Sequence, residues 1–152
     1  MRCGVWLAVP ILCAAIAVQV RASGFDDKIP DQQSIDALQA RLLQARPSEQ
    51  CFLYAELVHQ MTELSLRQYS AGEVEKASSL LRQIQQLARK IHLSVADDNK
   101  RLKNAEILLR HTAFRLNEML RSSNFEDRPL VEQTLAQVNQ AQNETMMQVF
   151  RK

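Results

Sequence analysis

Apolar positions recur along this chain at alternating steps of three and four, the spacing that brings side chains to one face of an α-helix. The longest series is Val74, Ala77, Leu81, Ile84, Leu87/Ala88, Ile91 and Val95, and its phase carries on through Leu102, Ala105, Leu109, Ala113, Leu116 and Leu120. No segment alternates at period two for long enough to suggest a strand. Residues 48–128 contain no Pro and a single Gly, Gly72, so the two strongest helix breakers are nearly absent. The pattern predicts an all-α protein built of antiparallel helical hairpins that form a small bundle.

Caps and breakers divide the pattern into elements. Ser34 can cap a short first helix with Ile35, Leu38, Leu42 and Ala45 on one face, and Pro47 stops it because the residue before a proline is pushed out of helical geometry. A second helix is expected from about Ser48 to Ala71. Phe52, Ala55, Val58, Thr62 and Tyr69 lie near one stripe, and Leu53, Leu57, Met61 and Leu64 widen it into a face that needs more than one neighbour. Gly72 suits the left-handed residue that closes a helix, and Glu73 and Glu75 then complement the dipole of the next, so residues on either side of Gly72 should form a hairpin.

Asp97-Asp98-Asn99 can either be carried through a helix or cap a new one. With no Gly or Pro there, the unbroken apolar phase favours one long central helix over about 73–121, about 75 Å in length at 1.5 Å per residue. A break at Asp97-Asp98 folds the same segments into a compact bundle instead. Asp127 and Pro129 start the last helix, whose stripe is Val131, Leu135, Val138, Met146 and Val149. Gln142 falls on that stripe, where a polar residue can fix register as it does in a coiled coil. Tyr69, Gly72, Ala77, Leu81 and Ile84 loosely follow a tetratricopeptide helix pair. No second copy appears, and an array needs about three.

The start of the chain follows a different pattern. Arg2 precedes an apolar run from Val5 to Val18, interrupted by Pro10, and Val20-Arg21-Ala22 has the small residues of a cleavage site, with Ala15-Ile16-Ala17 as a second one. Residues 1–22 therefore read as a secretory signal peptide, residues 23–33 as a flexible mature N-terminus and residues 34–152 as a single helical domain. The run is shorter than the ~20 residues that span a bilayer, and Leu12 before Cys13 disfavours a lipoprotein anchor. The expected location is periplasmic or extracellular.

Cleavage alters the composition. The whole chain has 19 basic and 17 acidic residues; Arg2 and Arg21 leave with the signal, so the mature chain carries 17 of each. A formally neutral protein is a poor candidate for nucleic-acid binding or strong membrane association, which reward clustered positive charge. Charge is nevertheless uneven. Residues 23–72 carry four bases and seven acids, whereas residues 73–122 carry ten bases and six acids, an imbalance that could support antiparallel helix packing. Cys3 and Cys13 also leave, and the remaining Cys51 cannot close an intrachain disulfide.

Little reaction chemistry emerges. Glu56 and His59 have the Glu-x-x-His spacing of carboxylate-bridged di-metal bundles, but such a site needs a second copy, and neither His92 nor His111 has a Glu three residues before it. His59, His92 and His111 would make a three-histidine site only if they converged, and His92 beside Ile91 and His111 after Arg110 occupy dissimilar faces. Cys51 near a helix start could be an activated thiolate, but a small buried apolar role is the commoner one. Lys100, Arg101, Lys103 and Arg110 could meet an acidic partner or lipid headgroup, and Glu106 interrupts them. Met61, Met119, Met146 and Met147 fit core positions or an adaptable binding surface. No Gly-rich phosphate loop or nucleophile elbow is present. No catalytic, cofactor-binding or metal residue is assigned, and no cofactor is expected.

The strings Tyr54-Ala55-Glu56-Leu57-Val58-His59, Leu102-Lys103-Asn104-Ala105-Glu106-Ile107-Leu108-Leu109 and Val149-Phe150 resemble short exported helical proteins of acidobacterial type, over roughly residues 48–152. The resemblance implies a bacterial exported protein and carries no catalytic or binding residue with it. The expectation is a non-catalytic exported interaction or scaffold protein that engages a protein partner, or itself as a homodimer, through helical faces; the stripe around Val95, Leu102 and Leu109 is the surface expected to do so. The alternative is a ligand-binding or metal-sensing helical bundle.

Overall fold

A computed structural model describes residues 30–91 and 99–151. The expected signal peptide, residues 23–29 of the expected flexible stretch, His92, Val95 and Asp97-Asp98 lie outside the described residues. Five helices make up the rest: α1 (Gln32–Leu43), α2 (Pro47–Ser70), α3 (Val74–Ile91), α4 (Asn99–Ser122) and α5 (Arg128–Val149).

The first helix starts three residues earlier than expected, because Asp31 rather than Ser34 is its cap. The Asp31 carboxylate accepts from the Ser34 N–H (2.8 Å) while the Asp31 N–H donates to Ser34 Oγ (3.1 Å), a reciprocal capping box. Pro47 does not merely stop α1; it occupies the first turn of α2, where its missing N–H costs nothing. Helix α2 ends in a Schellman motif. Gly72 has φ 81°, its N–H donates to the Tyr69 carbonyl (3.0 Å), and the Glu73 N–H reaches back to the Gln68 carbonyl (2.9 Å).

Side-chain bonds between helices establish their directions. Ser65 Oγ donates to the Ala77 carbonyl (3.2 Å), so α3 folds back antiparallel to α2 as the Gly72 hairpin requires. Helices α2 and α4 are matched in the same direction by Glu49 with Arg101, Glu63 with Arg115 and Tyr69 with the Asn124 N–H. Helices α3 and α5 are matched likewise by Gln85 with Thr134 (3.0 Å) and Arg89 with Gln137 (3.2 Å). Two antiparallel hairpins, α2/α3 and α4/α5, therefore lie side by side with their helices in parallel register. Among the described residues α2 touches α3 and α4, α5 touches the same two, and α3 and α4 sit at opposite corners without contact. Among the described helices α1 packs on α2 alone.

This arrangement corrects the long central helix over 73–121. Helices α3 and α4 share one apolar phase but run in opposite directions. The continuing phase reflected two helices that each need one buried stripe, and it contained no information on whether those stripes were collinear. The charge imbalance also works differently from the expectation: the acids of α2 meet the bases of α4 across a parallel contact.

The core is closed. Leu57, Val58, Met61, Leu81, Ile84, Ile91, Leu109, Leu116, Met119, Val131 and Val138 are wholly buried, and Ile35 and Leu38 bring α1 onto the same cluster. Helix α2 has neighbours on three sides, which its wide apolar face anticipates. Leu102 and Leu109, expected in an exposed interface, are 4% and 0% exposed, so the bundle itself covers these two residues. Buried threonines close their own polar accounts: Thr62, Thr112, Thr134 and Thr145 each donate to the carbonyl four residues earlier.

Candidate functional site

The chemistry-bearing side chains gather along α4, on the seam it makes with α2 and on the face it turns to solvent. On the seam, His59 and His111 meet edge to face with ring centroids 6.5 Å apart. His59 Nδ1 lies 3.2 Å from Thr112 Oγ1, whose own hydrogen goes to the Leu108 carbonyl (2.8 Å). The hydroxyl can then only accept, which makes Nδ1 the protonated nitrogen of a neutral His59. Burial pushes the His59 pKa below its ordinary value, with His111 and Arg115 acting in the same sense and Glu63 against them.

One turn further, Arg115 grips Glu63 with two nitrogens (Nε–Oε1 2.7 Å, Nη2–Oε2 3.0 Å) and also holds Glu118. Those bonds occupy Glu63, the carboxylate that faces His59. Glu56 projects from the same edge of α2. Burial raises its pKa, Arg41 opposes the shift, and its Oε2 is buried with no hydrogen-bond partner. No three His, Cys, Asp or Glu side chains converge as a metal shell among the described residues. The structure thus brings together two of the three histidines, and His92 lies outside the described residues.

At the other end of the seam a shallow cavity of about 380 Å³ opens between α1 and α4, lined by Arg41, Phe52, Lys100, Arg101 and Asn104. Glu49 beside it forms ion pairs with Arg46 (3.2 Å) and Arg101 (2.9 Å), and these two guanidiniums hold its carboxyl below the usual range. Cys51 is 2% exposed and burial pushes its thiol up to about 11, so at neutral pH it is a core residue and not a thiolate. Met61 and Met119 are core as well, whereas Met146 and Met147 are exposed.

On the outer face of α4 the sequence reading picked out Lys103 and Arg110 but missed the apolar residues set among them. Lys103, Ile107, Arg110, Phe114, Asn117 and Arg121 follow one another at steps of four and three, and all are exposed. Ile107 is 45% and Phe114 60% exposed, one heptad apart on a row that otherwise carries Lys103, Arg110, Arg121 and the neutral Asn117. The row contains no acid. Glu106 borders it on the α5 side, where it accepts from Gln142 (3.2 Å) and lies 3.8 Å from Arg110; Glu118 borders it on the α2 side, held by Arg115. The signal was available in the sequence. Ile107 and Phe114 both fall off the phase of Leu102, Ala105, Leu109, Ala113 and Leu116, and two large apolar residues out of phase by the same amount mark a second face.

No protein-family model, curated protein or solved structure matches this chain.

Proposed function

We propose that the protein is an exported, non-catalytic helical interaction or scaffold module, acting in the periplasm or outside the cell. The apolar–basic row on α4 carries this reading. The bundle buries its core stripes without Ile107 and Phe114, and paired exposed apolar residues of this size mark a surface for another molecule. Export is supported by the charged start, apolar run and small-residue exit of residues 1–22, and is part of the same proposal. The second reading, a ligand-binding or metal-sensing bundle, draws on the His59–His111 contact and the cavity beside Phe52. It is weaker, because Glu63 is committed to Arg115.

A photo-crosslinking amino acid placed at Phe114, and in a control at the exposed Ala136 of α5, tests the reading in envelope preparations. Adducts at position 114 and none at 136 are expected. No adduct at either position refutes it. Intact mass of the recovered protein tests export: a species that starts at Ser23 or Val18 is expected, and one retaining Trp6 contradicts it.

A further inference from the structure

Building on the interaction reading, we propose that the outer face of α4 docks an acidic amphipathic helix of another protein, laid along the row from Lys103 to Arg121. The row is a ridge one side chain wide on a regular helix, and the 18 steps from Lys103 to Arg121 give it a length of about 27 Å. A helix of about five turns matches that length, whereas a compact globular surface would also have to meet the flanks.

Charge selects the chemistry of the partner. Lys103, Arg110 and Arg121 occupy the row itself, with Ile107, Phe114 and Asn117 set among them, instead of flanking an apolar seam. Neither Lys103 nor Arg121 is ion-paired to a carboxylate among the described residues, and Arg110 reaches Glu106 only at 3.8 Å. A wholly apolar helix laid here would bury those charges uncompensated, which is costly. A helix with Asp or Glu at steps of three and four, interleaved with Leu or Ile, pairs the cations and covers the two apolar side chains together. A second copy of α4 is a poorer occupant, since its row offers these cations no acid to pair with. The acids that border the row separate a narrow partner from a broad one. Glu106 and Glu118 stand at its two edges, so a flat anionic lipid surface would meet them along with the cations, while a helix seated on the ridge avoids them.

The test uses a fluorescein-labelled 21-residue acidic amphipathic peptide, its charge-reversed lysine counterpart and phosphatidylglycerol vesicles, each titrated into the exported protein. Saturable binding of the acidic peptide, weakened by salt, is expected. Lys103→Glu with Arg110→Glu should weaken it on the order of tenfold or more and transfer preference to the lysine peptide. Ile107→Ser with Phe114→Ser should weaken binding of the acidic peptide as well, and Lys103→Arg with Arg110→Lys should retain it. All four positions are exposed, so thermal melts should not move, and a shifted melt in one pair leaves the other to decide. Equal binding of both peptides, binding of vesicles but not of the acidic peptide, or a doubled mass that the charge reversal abolishes overturns the proposal. If the peptide fails while position 114 still crosslinks to a protein, the acidic-helix proposal falls and the interaction reading stands. If position 114 also gives no adduct, both fall.

Discussion

His59 shows how burial and neighbouring charges tune a side chain. Its Nδ1–H points to a hydroxyl whose hydrogen is already committed, and His111, Glu63 and Arg115 surround it with charges of both signs. The folded pKa is depressed, so as pH falls through 6.5 the unfolded chain takes up a proton before the folded one does, and stability drops across the window just below that value. Glu56 acts with the opposite sign, since its raised pKa lets the folded state hold a proton that the unfolded chain has released. His59→Asn keeps an N–H facing Thr112 and cannot titrate. Urea denaturation should therefore show a smaller loss of stability between about pH 7.5 and 5.5 for the variant than for the wild type. Gly72 makes a second prediction at this scale. A Cβ there meets nothing within 4 Å, so φ 81° alone determines the cost of substitution. Gly72→Ala should destabilise by about 1 kcal/mol without altering helix content, measured by chemical denaturation and circular dichroism.

At the scale of the element, α4 carries two faces with opposite fates. Leu109 lies at the centre of the core and Ile107 faces solvent two residues away. Leu109→Ala should cost about 2–5 kcal/mol through lost burial and the cavity left behind, while Ile107→Ala should cost under about 0.5 kcal/mol. Denaturant titration of the two variants measures both. Leu102→Glu belongs with the first: it places a carboxylate in the core and should unfold the bundle, where the expected interface would have had it split a dimer. Most core positions of α3 and α4 and the closing Gly72 were legible, because a buried stripe and a left-handed cap leave local marks, whereas the buried Leu80 and Thr112 lie beside the stripe that was read. Boundaries were less so. Asp31 and Ser34 are both good caps three residues apart, and only the reciprocal bond shows that the first residue is Ncap and the second N3. On α5 the stripe drifts: Met146 is exposed, and Thr134, Ala141 and Thr145 take positions in the core that a reading based on large apolar residues passes over. Gln142 sits at its edge, held by Glu106, a placement its polar character on an apolar stripe foreshadows.

For the whole molecule, the decisive fact is the relation between α3 and α4, and no local pattern contained it. Periodicity reports that a helix has one buried face, and two collinear helices and two antiparallel ones at opposite corners satisfy that report equally. The choice rests on contacts distant in sequence, such as Glu63 with Arg115 and Gln85 with Thr134, which place α4 beside α2 and α5 beside α3. The same relation positions the outer row of α4, since only a reversed α4 covers Leu102 and Leu109 and leaves Ile107 and Phe114 outside. Spin labels at Lys76 and Arg121 separate the two arrangements. Ser65 ties the start of α3, and Tyr69 the end of α4, to the same end of α2, so both labelled sites lie at that end of the bundle. With neighbouring axes about 8–10 Å apart, corners across the diagonal put the labels roughly 20–30 Å from each other. In a continuous helix the 45 intervening steps would separate them by about 68 Å. A dipolar distance in the short range is expected. A distance near the long one would dissolve the two-hairpin bundle, return Leu102 to solvent and remove the separate outer face on which the docking proposal rests.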